Sequence, residues 1–254
     1  MFSADAFAFY GRDFWTSLEM TGELCRRLNV YHDVAIRSAA MNMAIDEALL
    51  QHATVPSIRF YYWHSPALSF GYFGRFSDVA DYASARDLVR RWTGGGIVFH
   101  GDDLTYSIVI PANDTAFNES SLSIYEKVHR ALCDALGGSG KRAVVAGSVD
   151  PGPNSIARQT TASADGHDCF ANPVRADVMV DGRKIAGAAQ RRTHRGLLQQ
   201  GSIQGVNIDN GLAERFAEAL SANRTECETG EQILIRAREL AQQKYGTDSW
   251  LRKR

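Results

Sequence analysis

Residues 90–107 run Arg90-Arg91-Trp92-Thr93-Gly94-Gly95-Gly96-Ile97-Val98-Phe99-His100-Gly101-Asp102-Asp103-Leu104-Thr105-Tyr106-Ser107. This stretch constrains the fold most, because three adjacent glycines stand between segments rich in β-branched and aromatic residues. Leu88–Trp92, Ile97–His100 and Leu104–Ile110 each carry strand composition, with a short turn at Gly101-Asp102-Asp103. The layout predicted is strand, glycine turn, strand, turn, strand. Without Cβ atoms the glycines let backbone approach a ligand closely, and their amides are free to face an anion. No Gly-Lys-Ser/Thr follows, which excludes a Walker A loop. No helical periodicity follows either, which excludes a dinucleotide fingerprint. A hairpin with a flexible turn is the simplest reading, and the flanking Arg90, Arg91 and His100 make the segment more specific than that.

The remaining chain alternates helical and strand patterns. Tyr31–Arg37 reads as a first strand, and Ser38 as the cap of a helix over 39–50. In that helix Met41, Ala44, Ile45, Ala48 and Leu49 form an apolar stripe, leaving Asn42, Asp46 and Glu47 as a solvated face. Ile58–Trp63 and Ala67–Gly71 read as strands, and Gly71 and Gly74 as a bend lining a pocket. Ser77-Asp78 is expected to cap a helix over Val79–Leu88, and Ser120-Ser121 one over 122–136 that Gly137-Gly138 ends. Residues 137–168 read as a long loop of the kind used for lids. Ala176–Val180 and Arg183–Gln190 form a hairpin on a type I′ Asp181-Gly182 turn. A basic turn follows at 191–196, then a strand over 196–203. Helices over 212–220 and 230–245 close the chain, the second covering a sheet face through Ile233, Ala237 and Leu240. Residues 16–28 suggest a short helix bearing Cys25. The class expected is α+β (α/β mixed), with a mixed, largely antiparallel sheet and flanking helices.

Composition sets the outer limits. With 254 residues, 44% hydrophobic, 22% charged and net charge −1, the chain reads as globular, with no electrostatic case for nucleic acid. No apolar run is long enough for a membrane span. The start of the chain lacks the features of a signal peptide, so a cytoplasmic location is expected. Cys25, Cys133, Cys169 and Cys227 form no CxxC pair, so no metal site is expected and the thiols should be free.

Cys169 stands in a polar loop before the hairpin, and Lys184 fifteen residues later, just past its turn. A thiolate is the best side-chain acceptor for an acyl group, and a nearby ammonium favours it and serves as proton donor. From the pattern alone, a buried Cys169 and an exposed Lys184 is the simpler reading.

The stretches MNMAIDEALL (41–50), RRWTGGGIVFHGDDLTYS (90–107), CFANPVRADVMVDGRKIAGAAQRR (169–192) and LLQQGSI (197–203) together resemble the biotin/lipoate protein ligase and octanoyltransferase superfamily. The resemblance implies that family's catalytic-domain fold over 31–254, with C-terminal helices, behind an N-terminal extension over 1–30. It implies a tunnel for an eight-carbon acyl chain. Arg91 and Gly94, Gly95 and Gly96 match the acyl-binding turn, and His100 the pocket wall. Lys184 matches the lysine shared by ligases and transferases. Gly187 matches the small-residue strand after it, and Cys169 the nucleophile of the cysteine-dependent octanoyltransferases of the LipM type. The activity implied is transfer of octanoyl from acyl-carrier protein to a lysine of a lipoyl carrier domain, such as the glycine-cleavage H protein or a 2-oxoacid dehydrogenase E2. Backbone amides near Lys184–Gly187 would stabilise the oxyanion, and no cofactor is needed. The triple glycine also fits an ATP- and Mg2+-dependent lipoate–protein ligase, in which Lys184 holds carboxylate and phosphate and Cys169 is dispensable. A third reading is a non-catalytic family member that binds acyl groups or carrier domains.

Overall fold

The structure is a computed structural model, and it describes residues 23–138, 140, 142–147 and 174–253. Among these residues the strands are β1 (Leu28–Arg37), β2 (Ser57–Trp63), β3 (Ala67–Phe70), β4 (Asp87–Arg90), β5 (Ile97–His100), β6 (Leu104–Pro111), β7 (Ala143–Val145), β8 (Val178–Val180), β9 (Arg183–Thr193), β10 (Gly196–Ile203) and β11 (Arg224–Glu226). The helices are α1 (Ala39–His52), α2 (Ser121–Gly137), α3 (Leu212–Leu220), α4 (Glu231–Leu240) and α5 (Asp248–Leu251).

Eight strands form one sheet in the order β11-β1-β2-β6-β10-β9-β8-β7. β1 runs parallel to both its neighbours, and every other pairing in that sheet is antiparallel. The mixed, largely antiparallel sheet with flanking helices is therefore as the sequence implied. A second sheet, β4-β3-β5, is built from one excursion of the chain between β2 and β6. The glycine turn crosses over β3, so β4 and β5 are not hairpin partners.

Alternation along the central strands gives the large sheet two different faces. Ile58, Phe60, Tyr106, Ile108, Ile110 and Leu197 point to one side and pack under Ile124, Val128 and Leu132 of α2 and Phe216 of α3. On the other side Arg59, Thr105, Ser107, Gln200 and Ser202 are buried as well. α1 lies over that second face with Tyr61, Trp63, Val109 and Leu198.

Several local expectations hold. Ser38 caps α1 by accepting from Met41 N, and Ser120 caps α2 by accepting from Ser123 N. Asp181 and Gly182 have φ of 49° and 75°, the two left-handed residues that a type I′ turn requires.

Others are corrected. Asn42, Asp46 and Glu47 are not a solvated face: they are 0, 0 and 6% exposed. Their partners come from distant strands and helices, which local periodicity does not register. Residues 79–88 do not form a helix. Two short 3-10 turns, Phe76–Asp78 and Ala80–Tyr82, precede β4, because Asp87–Arg90 are drawn into register beside Ala67–Phe70. The last long helix, α4, packs through Ala237 and Leu240 with residues of α1, not against a sheet face of its own. It continues into a π-helical turn, Ala241–Tyr245. β1 begins at Leu28, and Leu24 and Cys25 are already buried in the core, so the end of the expected 1–30 extension packs with the domain. Of the helix expected over 16–28, the described part, 23–28, is not helical. β9 runs on to Thr193, which shortens the basic turn to His194-Arg195. β7 lies within the expected 137–168 loop, and the greater part of that loop is outside the described residues.

Candidate active site

The cavity that gathers the predicted residues lies between the two sheets and has an empty volume of about 460 Å³. The large sheet supplies Tyr61, Trp63 and Gln200 to its wall, and the small sheet supplies Ser69, Val98 and His100.

Lys184 enters from the start of β9. Its Nζ lies 2.8 Å from Asp177 Oδ2, with side-chain exposures of 3 and 0%. Asp177 also accepts from Val174 N at 2.7 Å and from the Tyr125 hydroxyl of α2 at 2.7 Å. The Tyr125 oxygen in turn accepts from Ala188 N at 3.0 Å. Burial, reinforced by the Asp177 charge, raises the Tyr125 hydroxyl far above its usual range, so it stays a proton donor. A Cβ on Gly187 would stand 2.7 Å from Lys184 Cε and 2.8 Å from its Nζ. A glycine there leaves the groove in which the lysine lies.

Arg91 braces the glycine turn. One terminal nitrogen donates to the carbonyls of Gly94 and Gly96, at 3.0 and 2.8 Å, and the other to Ser69 Oγ at 2.7 Å. Gly95 has φ of +85°. Gly71 packs directly beneath it: a Cβ there would stand 2.0 Å from the Gly95 carbonyl oxygen. Arg90 points the other way and donates to the carbonyls of Tyr72, Gly74, Trp250, Leu251 and Lys253.

His100 stacks on Trp63, with ring centroids 3.9 Å apart and planes at 22°. Its Nε2 is 2.7 Å from Ser69 Oγ and its Nδ1 2.8 Å from Asp103 Oδ2. Ser69 Oγ already accepts from Arg91, so its own proton goes to Nε2, and Nδ1–H is left to donate to Asp103. Burial holds the imidazole below its usual pKa, against the opposing pull of Asp103. Burial alone would raise Asp103, but bonds from His100, Ser202 and the Gly101 amide bring it below the usual carboxylate value.

A second buried network reaches the cavity from α1. Asp46 accepts from Arg59, Ser107, Tyr61 and Gln200, and Gln200 Oε1 accepts from Thr93 at 2.8 Å, one residue before the glycines. α1 is thereby tied to the turn that Arg91 braces.

Arg91, Gly95, His100, Lys184 and Gly187 thus line one cavity. Gly94 and Gly96 are adjacent and serve as acceptors for Arg91, and Gly96 lines a second hollow with Gly71 and Phe73. Cys169 lies outside the described residues. Sequence reasoning missed Ser69, Asp103, Asp177, Tyr125, Asp46 and Gln200. Asp177 alone had a local signal, being an acid on the arm of the hairpin opposite Lys184.

The profile of the lipoyl protein ligase A/B catalytic domain matches residues 38–242. The chain belongs to that family.

Within the lipoyl protein ligase A/B family, the chain is 36% identical over 177 residues to the octanoyltransferase LipM of Staphylococcus aureus, covering 66% of this chain and 63% of the relative. It is 32% identical over 267 residues to the LipM of Kyrpidia tusciae, covering 84% of this chain and 94% of the relative. The chain therefore spans just under two thirds of the Staphylococcus aureus relative and nearly all of the Kyrpidia tusciae one. Among solved structures, a T. acidophilum protein with bound lipoic acid superposes with a TM-score of 0.66 at 25% identity, covering 89% of this chain and 98% of that one. A lipoate-protein ligase A bound with ATP superposes with a TM-score of 0.67 at 22% identity, with the same coverage of each chain, which shows the shared fold. No helix among the described residues is long and apolar enough to cross a membrane.

Proposed function

We propose that the protein is an octanoyltransferase of lipoate assembly, moving an octanoyl group from acyl-carrier protein to a lysine of a lipoyl carrier domain. The observation that carries this reading is the buried Lys184–Asp177 pair opening onto a slot between two sheets, in a chain whose relatives are octanoyltransferases. The Cys169 thiolate attacks the thioester carbonyl, and the octanoyl tail lies along the slot beside Trp63 and Val98. The Lys184 ammonium stabilises the oxyanion by charge, together with backbone amides of the Lys184–Gly187 strand. The C–S bond to the carrier breaks, and Lys184 supplies the proton to the leaving thiolate. The incoming lysine amine then attacks the Cys169 thioester, an amide forms, and Cys169 leaves as the thiol. Thioester to amide is downhill, so the reaction needs no nucleotide. The acceptor is a lipoyl domain of the glycine-cleavage H protein or of a 2-oxoacid dehydrogenase E2, and the setting is the cytoplasm.

Incubation with octanoyl-carrier protein and an apo lipoyl domain is expected to label the domain, and Cys169→Ala to abolish that labelling. Labelling from free octanoate that requires ATP and Mg2+ and survives Cys169→Ala would replace this reading with a lipoate–protein ligase. No labelling under either condition would leave a non-catalytic binding protein.

A further inference from the structure

Outside the cavity, three cations gather around three aromatic rings. The Arg191 guanidinium lies 4.9 Å from the Tyr72 ring centre and 5.0 Å from that of Trp92. Lys244 Nζ lies 4.4 Å from both Trp92 and Trp250. Lys253 Nζ lies 4.7 Å from Tyr72 and 5.1 Å from Trp250, and donates to the Tyr72 hydroxyl at 2.6 Å. Lys244 pairs with Glu47. Among the described residues no carboxylate lies within ion-pair distance of Arg191 or Lys253.

The cluster is not the by-product of a basic chain, since the net charge is −1. Like charges repel, and holding three together with one counter-charge favours an anion from outside. The rings fix the cations by cation–π attraction without neutralising them.

The position of the cluster names the anion. Residues two apart on a strand share a face, so Arg191 follows Gly187 and Ala189, which line the cavity, on the same side of β9. Trp92 follows Arg91, and Tyr72 follows the Gly71 that supports the glycine turn. Phe73, packed edge-on against Tyr72, is 85% exposed and offers an apolar contact beside the charges. An acyl thioester on a carrier protein arrives on an arm that begins at a phosphodiester, itself set on an acidic surface. Both are anionic, and both must halt a short distance from the point where the acyl chain enters.

We propose that Arg191, Lys244 and Lys253, set on Trp92, Tyr72 and Trp250, form the docking site for the acidic donor carrier protein. The identity of the donor rests on the acyl-transfer reading above. The test compares the native sequence with Arg191→Glu/Lys253→Glu, leaving the ion-paired Lys244 in place. Two octanoyl donors are used, octanoyl-carrier protein and the small uncharged thioester octanoyl-N-acetylcysteamine, with one apo lipoyl domain as acceptor. Binding of fluorescently labelled octanoyl-carrier protein is measured separately by anisotropy, without turnover.

The expected result is a rise in KM for octanoyl-carrier protein of about tenfold or more, a matching loss of affinity and a flattened salt dependence. kcat/KM for the small thioester should stay within about twofold. Arg191→Gln/Lys253→Met should fall between the two. Unchanged carrier affinity in the charge-reversed variant overturns the docking site, as does a loss confined to the KM of the acceptor domain. An equal loss with both donors also overturns it, by pointing to a damaged cavity. Failure of the native protein to turn over either donor overturns the acyl-transfer reading alone, and the anisotropy arm still decides the docking site.

Discussion

Lys184 Nζ and Asp177 Oδ2 meet at 2.8 Å with almost no contact with solvent, on opposite arms of a hairpin whose turn is Asp181-Gly182. Removing one member of such a pair leaves an uncompensated charge, at a cost of about 3–5 kcal/mol. Asp177→Asn is therefore expected to lower the thermal midpoint strongly. Asp177→Asn/Lys184→Met should recover much of that stability while remaining inactive in octanoyl transfer. A thermal melt of the four members of this cycle checks the first claim, and a transfer assay on the double variant the second.

Gly187→Ala separates geometry from stability. The new methyl would displace the far end of Lys184, which is flexible, and not backbone. Activity is expected to fall about tenfold or more, since small misplacements of reacting groups are costly. The folding cost should stay under about 2 kcal/mol. Loss of folding comparable to that of Asp177→Asn would show that the groove is structural.

Asp46 and Arg59 are both fully buried, and Arg59 is shared by Asp33, Asp46 and Asn42. Asp46→Ala is expected to cost about 3–5 kcal/mol, because the guanidinium loses a charged acceptor where water does not reach. It also removes the carboxylate that Gln200 donates to on α1, leaving only the contact with Met43 Sδ, so any folded fraction should show a raised KM for the acyl donor. Denaturant titration and steady-state kinetics measure the two effects.

Acid should destabilise the protein before ordinary carboxylates titrate. Burial pushes His129 down to about 4 and holds His100 below its usual value. The unfolded chain takes up protons below about pH 6.5 while the folded one keeps both rings neutral. The His129 contribution is thus complete above that pH and is lost as pH falls towards 4, at up to about 1.4 kcal/mol per pH unit, and His100 acts in the same direction. Melts from pH 7.5 to 4.5 should show the decline. His129→Gln should make that decline shallower, since the His129 share is then gone.

Locally encoded features were legible in the chain. Ser38 and Ser120 announce their helices, Asp181-Gly182 its hairpin, and the triple glycine its turn. The site residues that occur in contiguous family stretches, Arg91, Gly95, His100, Lys184 and Gly187, meet in one cavity. What stayed hidden depends on distant partners. Asn42 and Asp46 look like a wetted helix face until Arg59 arrives from β2. Residues 79–88 carry a capped-helix pattern, but pairing with β3 takes their last residues into a strand. Ser69 and Asp103 are ordinary as sequence and acquire meaning only on either side of His100.

The three-stranded sheet leaves the rest of the domain after Trp63 and rejoins it at Leu104, so one wall of the slot is a flap attached at both ends of a single loop of chain. Its far corner is fastened by Arg90, whose guanidinium hooks the carbonyls of Trp250, Leu251 and Lys253, some 160 positions away. Those last residues act as a buckle. One wall of the cavity is thus held from a side to which none of the cavity's own lining residues belongs.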